Sequence, residues 1–389
     1  MNTLEYLLNN YFDKMEKHIK IISKNPNITL EYIKTHNNIN WNWTKVSQNI
    51  GISLQEIEDN KELNWDWYDG ISYRNDINFS FIEKYKDKNW NYREISKVID
   101  ISLEFIKLNI DKNWDWYWLS KNKNLTEKFV LENLELWDWY NLSLNNVISI
   151  EILLNNKNLI SKYTNFNDLY IFSLSNNLSE DIILNKFKNV DWNYFCINSN
   201  IKPEFFVKNS HINNSWTYEY LSVNRGITID FILKNLDKPW NWSALTSNNG
   251  IKLKDIENNL HLDWNWNYIL TKKDLTLEFV DRHIERFKNF NDIVIMCDLT
   301  EKFILKYKNN LLDCDWNKIS ESENISLNFI LNHNYLPWDY NYLSKNENLT
   351  FNFIEKCGID KFNLINLSNN LYNYKKINNL IKDINNINL

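Results

Sequence analysis

The chain has 389 residues and a net charge of −6, from 44 basic and 50 acidic side chains. Hydrophobic residues make up 43% and aromatics 15%, enough for a large core, which argues against disorder despite 71 Asn residues. Five Gly leave no material for a Gly-rich phosphate loop, and only 5 of the basic residues are Arg, which argues against a nucleic-acid surface.

Leu4, Leu7, Leu8, Tyr11, Phe12 and Met15 open the chain as an apolar helical stripe. From Lys17 onward the chain repeats itself, and such self-similarity governs every later reading. Taking the first Trp of each Trp-x-Trp pair as position 0, units begin at Lys17, Trp41, Trp65, Trp90, Trp114, Trp137, Asn167, Trp192, Trp216, Trp240, Trp264, Lys288, Cys314, Trp338 and Phe362. That is 15 units, mostly 24 residues apart, with one step of 30 between Trp137 and Asn167.

Position 2 is apolar or aromatic throughout, position 5 is apolar, and position 6 is usually Ser, as in Ser23, Ser47, Ser120, Ser222 and Ser344. These three share one face of a short helix, so a large, a medium and a small residue pack against a neighbouring unit. Position 12 is Ser or Thr in most units, often with an acid two residues later, as in Ser102 with Glu104 and Thr228 with Asp230. That pattern is a helix start, with the hydroxyl accepting an orphan N–H and the carboxylate at the positive end of the dipole. Positions 15 and 16 form an apolar pair, and Asn residues follow within a turn. Pro239 and Pro337 precede Trp240 and Trp338, Pro203 stands near a second-helix start, and Pro26 lies between helices, so none interrupts an expected helix.

Each unit is therefore a short helix, a turn and a second short helix. Isolated helices this short are marginal in water, and stacking supplies the missing burial. The predicted fold is all-α: a solenoid of about 15 stacked 24-residue helix-turn-helix repeats, α/α or α/3-10, over residues 17–375. Helical caps are expected at 1–16 and at 376–389, where Ile377, Leu380, Ile381 and Ile384 give a second stripe. An irregular unit falls near 157–191, with 157–168 as extra loop, and the Trp pattern lapses again before Asp315. Drift in a tolerant repeat explains both lapses; a bend or partner contact is the alternative.

The run Ser23-Lys24-Asn25-Pro26-Asn27-Ile28-Thr29-Leu30-Glu31-Tyr32-Ile33 resembles the leucine-rich repeat variant family, whose 24-residue units stack an α-helix and a 3-10 helix. The resemblance covers most of the chain in period and phase, and departs in the Trp pairs, the scarce prolines and the single Ala244. It implies stacked helical repeats and transfers no catalytic residue. The Trp-Asp-Trp units in an Asn-rich chain also resemble tandem-repeat proteins of giant DNA viruses, which would imply a host-cytoplasmic or virion setting.

Candidate chemistry is sparse. His18, His36, His211, His261, His283 and His333 have no zinc spacing, and Cys196, Cys297, Cys314 and Cys357 form no close pair. Asp66, Asp115, Asp138, Asp191 and Asp315 alternate with Asn42, Asn91, Asn241 and Asn265, which suits capping better than acid–base work. No catalytic residue, metal or cofactor is expected. Asn-x-Ser/Thr triplets such as those at Asn27 and Asn348 follow from the repeat. With no secretion signal or membrane-length apolar run, an intracellular setting is expected.

The remaining candidate site is an aromatic ladder at position 0: Trp41, Trp65, Trp90, Trp114, Trp137, Trp192, Trp216, Trp240, Trp264 and Trp338. Exposed, it would bind peptides, sugars or bases; the favoured reading is that each ring wedges between units. Position 2 is expected to be core and position 0 less deeply buried. The function this implies is a non-enzymatic scaffold for protein–protein interaction. A nucleic-acid-binding helical repeat and a structural component of a virus particle are the alternatives.

Overall fold

The computed structural model describes residues 2–145, 147–158, 168–175 and 177–372. These residues are all-α, with no strand among them. First helices are often only four residues, as at Trp116–Leu119 and Tyr340–Leu343, and second helices are five to seven, as at Leu103–Leu108 and Phe351–Cys357. A 3-10 turn, Ile71–Tyr73, replaces one first helix. The chain divides into two compact units, one of Met1–Asn91 with Asn289–Leu389 and one of Tyr92–Lys288.

The same local chemistry builds the repeats of both units. Asn or Asp at position 1 caps the first helix: Asn42 accepts from the Lys45 N–H, Asp138 from Asn141 and Asn241 from Ala244. The first helix thus begins at position 2, two residues after the Trp. Thr or Ser at position 12 caps the second, as in Ser102 to Phe105 and Thr350 to Phe353. Pro203 occupies the first turn of Pro203–Lys208, where its missing N–H has no intrahelical role.

Two polar side chains join most repeats to the next. Ser222 Oγ donates to the Tyr218 carbonyl at 2.8 Å and accepts the Asn241 N–H of the following repeat at 3.0 Å. Ser344 does the same with Tyr340 and Asn363, at 2.7 and 2.8 Å. These serines are buried, as the packing argument expects, but the hydroxyl carries a bond that argument leaves out. Asn at position 8 works in the other direction. Asn248 Nδ2 donates to the Ser222 and Asn224 carbonyls of the preceding repeat, both at 2.9 Å, while its Oδ1 accepts the Gly250 N–H.

One repeat departs from the expected register. Trp192 stands at position 2, not position 0: the Cys196 N–H bonds its carbonyl, Asp191 caps its helix, and its ring stacks on Phe205 at 5.4 Å. Cys196 then fills the Ser position and Asn198 the clamp position, donating to the Ser173 and Ser175 carbonyls at 2.7 and 3.1 Å. Most of the loop expected at 157–168 lies outside the described residues.

In the unit containing both chain ends, the first repeat stacks on the last. Asn25 Nδ2 donates to the Ser368 and Asn370 carbonyls at 3.0 and 2.8 Å, the bond that Asn370 makes to Ser344 and Asn346 at 2.9 and 2.8 Å. The N-terminal helix Thr3–Met15 packs on both Phe351–Cys357 and Leu364–Asn369. Tyr6 stacks on Phe351 with centroids 4.4 Å apart. Glu5 accepts from Thr29 at 3.1 Å, as Glu301 accepts from the Ser326 N–H at 2.9 Å one repeat on. The helix thus takes the place of a second helix for the repeat that begins at Phe362. It covers the first repeat, as a cap would, but its other side meets the last repeats. The cap expected at 376–389 lies outside the described residues.

Removing residues 1–16 should therefore unmake the last repeat as well as uncover the first. Leu4, Leu7, Leu8 and Met15 are buried, and each is worth roughly 1.5–3 kcal/mol. The truncated chain should melt early, and a synthetic peptide of residues 1–16 added in trans should restore the transition. Restoration followed by thermal melting against peptide concentration checks this.

Candidate functional site

The Trp at position 0 meets three things at once. Its ring lies edge-on to the position 2 aromatic of the preceding repeat: Trp43–Trp65, Trp116–Trp137, Trp242–Trp264 and Trp316–Trp338 have centroids 5.0–5.6 Å apart and interplanar angles of 85–90°. It also lies edge-on to the position 15 Phe of that repeat, as in Phe105–Trp114 and Phe329–Trp338. Its indole N–H donates to a carbonyl at the end of the preceding second helix. Trp41, Trp65, Trp90, Trp114, Trp240, Trp264 and Trp338 do so at 2.8–3.0 Å, to His36, Asn60, Tyr85, Asn109, Asn235, Asn259 and His333 respectively. Trp137 bonds Val130 at 3.1 Å, and Trp192, from position 2, bonds Phe187 at 2.8 Å. An edge-to-face pair adds about 0.5–1.5 kcal/mol beyond its burial, and the indole bond gives a second partner to a helix-end carbonyl that the following turn also engages, as the Ile39 N–H does at His36.

The expected depth order is reversed. Trp41, Trp65, Trp90, Trp114, Trp137, Trp240 and Trp264 are buried, whereas Trp43, Trp67, Trp116, Trp242 and Trp266 at position 2 are half-buried. Trp139, Trp192 and Trp316 are the buried members of the position 2 set, and Trp216 and Trp338 the half-buried members of the position 0 set. The reason is that position 0 precedes the helix in extended chain and points back into the preceding repeat, while position 2 starts a one-turn helix with a side open to solvent. Where Trp lapses, Phe takes over: Phe287 lies edge-on to Trp266 at 5.4 Å, and Phe290 stacks on Phe303 at 6.0 Å. Most of the ladder is consumed by packing, and only Trp216 and Trp338 among its rings keep part of their surface open.

The clamp at position 8, which the sequence reading passed over, holds two buried cations. Lys272 Nζ donates to the Thr246, Asn248 and Ile251 carbonyls at 3.2, 3.1 and 2.6 Å. Arg74 donates to the Asn49 and Ile52 carbonyls at 2.6 and 2.7 Å and pairs with Asp76. Each long cation performs the bonding of the Asn it replaces, which makes these structural rather than reactive groups.

Other chemistry is dispersed. Among the described residues no three His, Cys, Asp or Glu come together to hold a metal ion, and no helix is long and apolar enough to cross a membrane. Burial pushes the Cys196 thiol well above its ordinary value and that of Cys297 to about 11, which leaves both as thiols. His36 and His333 sit at second-helix ends, each with Nδ1 3.0 Å from a carbonyl of its own helix. No protein-family model, characterised protein or solved structure matches the chain.

What stays open is the outer side of the first helices, at positions 3, 4 and 7. Tyr68, Tyr117, Tyr220 and Tyr268 lie there with 46–51% of their surface exposed. Lys121 lies over the Tyr117 and Trp118 rings, 4.0 and 4.5 Å from their centroids.

Two outcomes follow for the interior. Trp114→Ala should cost about 3–5 kcal/mol and Trp116→Ala distinctly less; urea melts of the pair would show the order. Lys272 tests the clamp. Burial lowers its pKa from the ordinary 10.5. Between that lowered value and 10.5 the unfolded chain binds more protons than the folded one, so stability rises with pH across this window. Lys272→Asn should raise the melting temperature at neutral pH and abolish the alkaline rise, in a denaturation series taken through it.

Proposed function

We propose that the chain is a non-enzymatic scaffold for protein–protein interaction. The observation that carries this is a division of labour within each repeat. Positions 0, 1, 2, 6, 8 and 12 are spent on stacking and capping, while positions 3, 4 and 7 change from repeat to repeat. In Tyr92–Lys288 they read Arg93, Glu94, Lys97, then Tyr117, Trp118, Lys121, and later Glu219, Tyr220, Val223. Half-exposed Tyr on a rigid scaffold suits a protein interface, since its ring is apolar and its hydroxyl tolerates water.

The placement of Arg counts against nucleic acid. Arg74 is buried on carbonyls, Arg282 pairs with Glu257 at 2.8 Å, Arg286 lies over the Trp266 ring at 5.0 Å, and Arg93 lies 3.9 Å from Asp115. Four of the 5 Arg are thus engaged within the chain, leaving few for phosphate.

Affinity capture of the tagged chain with nuclease present tests the proposal. Protein partners that survive nuclease should be recovered. The combined Tyr117→Ser, Tyr220→Ser, Tyr268→Ser chain should lose them while its stability stays within about 0.5 kcal/mol. Recovery of salt-labile nucleic acid alone would reject the scaffold in favour of the nucleic-acid reading.

A further inference from the structure

A cavity of about 500 Å³ opens on the first-helix side of the unit that holds both chain ends. It exists because the first repeat stacks on the last: Asn369 and Leu371 form one wall, and Lys20, Lys24, Lys45 and Tyr73 come from the first three repeats. Its size falls within the range of ligand pockets. Its chemistry is two-sided. Ile21, Ile50, Tyr73 and Leu371 supply apolar surface, while Lys20, Lys24 and Lys45 supply charge.

Among the described residues no carboxylate lines the cavity, in a chain that carries more acidic than basic residues. Lys20 and Lys24 are exposed, and no ion pair among the described residues engages them. Lys45 is held over the opening by Gln48 Oε1 at 3.0 Å, and Gln48 is itself anchored to the Asp69 carbonyl at 2.6 Å. The one Arg on the wall, Arg74, is already committed to carbonyls and Asp76, so the lysines are the charges left for a ligand. Asn75 and Asn369 lie exposed on the rim, and no hydrogen bond among the described residues engages their side-chain amides. Each offers a donor and an acceptor, which matches the N–H and C=O of a peptide group. A fatty-acid or phosphate headgroup presents acceptors alone.

We propose that this cavity binds a short acidic peptide segment of a partner protein. The segment seats one apolar side chain among Ile50, Tyr73 and Leu371, with flanking carboxylates on the three lysines. The proposal deepens the scaffold reading and rests on it, by naming the kind of segment recognised.

The test is fluorescence polarisation on the full chain, with the fluorescein-labelled hexapeptide Glu-Asp-Phe-Leu-Asp-Glu as probe. Saturable binding is expected. The Gln/Asn version of the peptide should bind about tenfold more weakly or worse, a comparison made on the unaltered chain and so independent of any folding defect. The Lys20→Glu, Lys24→Glu, Lys45→Glu chain should lose as much, with its melting curve recorded alongside. Reversal to Glu of Lys186, Lys234 and Lys254, exposed lysines that belong to the other compact unit, should leave the affinity unchanged. Absent binding, equal binding of the uncharged peptide, or equal loss in the two reversal variants overturns the site. The readout needs no natural partner. Failure here with nuclease-resistant capture intact therefore rejects this cavity alone, whereas failed capture with charge-dependent peptide binding rejects the wider reading and supports the cavity.

Discussion

A helix of four residues cannot satisfy its own backbone, because the first four N–H groups and the last four carbonyls of any helix lack intrahelical partners. A chain assembled from such helices must find a side chain or a neighbour for nearly every polar group it buries. Here the repeat's constant residues are the answer, one for each helix end. Asn or Asp at position 1 and Thr or Ser at position 12 take the two N-termini. The Trp indole takes the C-terminus of the second helix, and the position 8 Asn takes the C-terminus of the first. The Trp and Asn both reach back from the following repeat. A single repeat therefore has orphaned carbonyls as well as bare apolar surface, and stacking cures both. The resulting dependence of each repeat on its successor explains why so few positions are free to vary.

The sequence made the period, the helix pair and the N-caps legible, because those are local signals: a hydroxyl or amide three residues before an N–H, and apolar residues at helical spacing. It misjudged what depends on the neighbour. Asn248 looks like one Asn among 71, and nothing within its own repeat shows that its amide spans to Ser222 and Asn224. Position 2 is expected to be core and position 0 shallower, yet Trp114 stands before its helix and is buried by the repeat behind it. The slip at Trp192 has the same root. Anchoring phase on Trp fails where the ring sits at position 2, whereas the buried Cys196 and the clamp Asn198 keep the true register.

The chain ends show the limit of periodicity differently. An apolar stripe at Leu4, Leu7 and Leu8 serves equally for a terminal cap and for a helix inserted into another repeat. What separates the two is the far side of the helix, where Tyr6 meets Phe351 and Glu355. Those contacts span more than three hundred positions of chain, and no local pattern encodes them. The Asn25 clamp is the more telling sign, since it reproduces on Ser368 and Asn370 the geometry that Asn370 makes on Ser344 and Asn346. The first repeat thus treats the last as its predecessor.

Departures from the clamp mark where the surface of this unit opens. The basic cavity includes Arg74, which does an Asn's work from a longer side chain. A second cavity, of about 460 Å³, includes Ser322, a residue too short to reach the preceding carbonyls as Asn does. That second cavity is rimmed by Asp298, Glu321 and Glu323 together with Lys318 and Lys345, so it has no single sign. The contrast bears on recognition. Mixed charges within a few ångströms largely satisfy one another, whereas like charges left without partners raise the local potential and draw a complementary chain. On the proposed scaffold reading, a repeat that keeps its stacking residues constant changes what it binds by replacing the clamp Asn and choosing the sign of the residues at its edge. Arg74 keeps the clamp bonds with a longer side chain and Ser322 lacks the reach, so the stack tolerates both kinds of replacement.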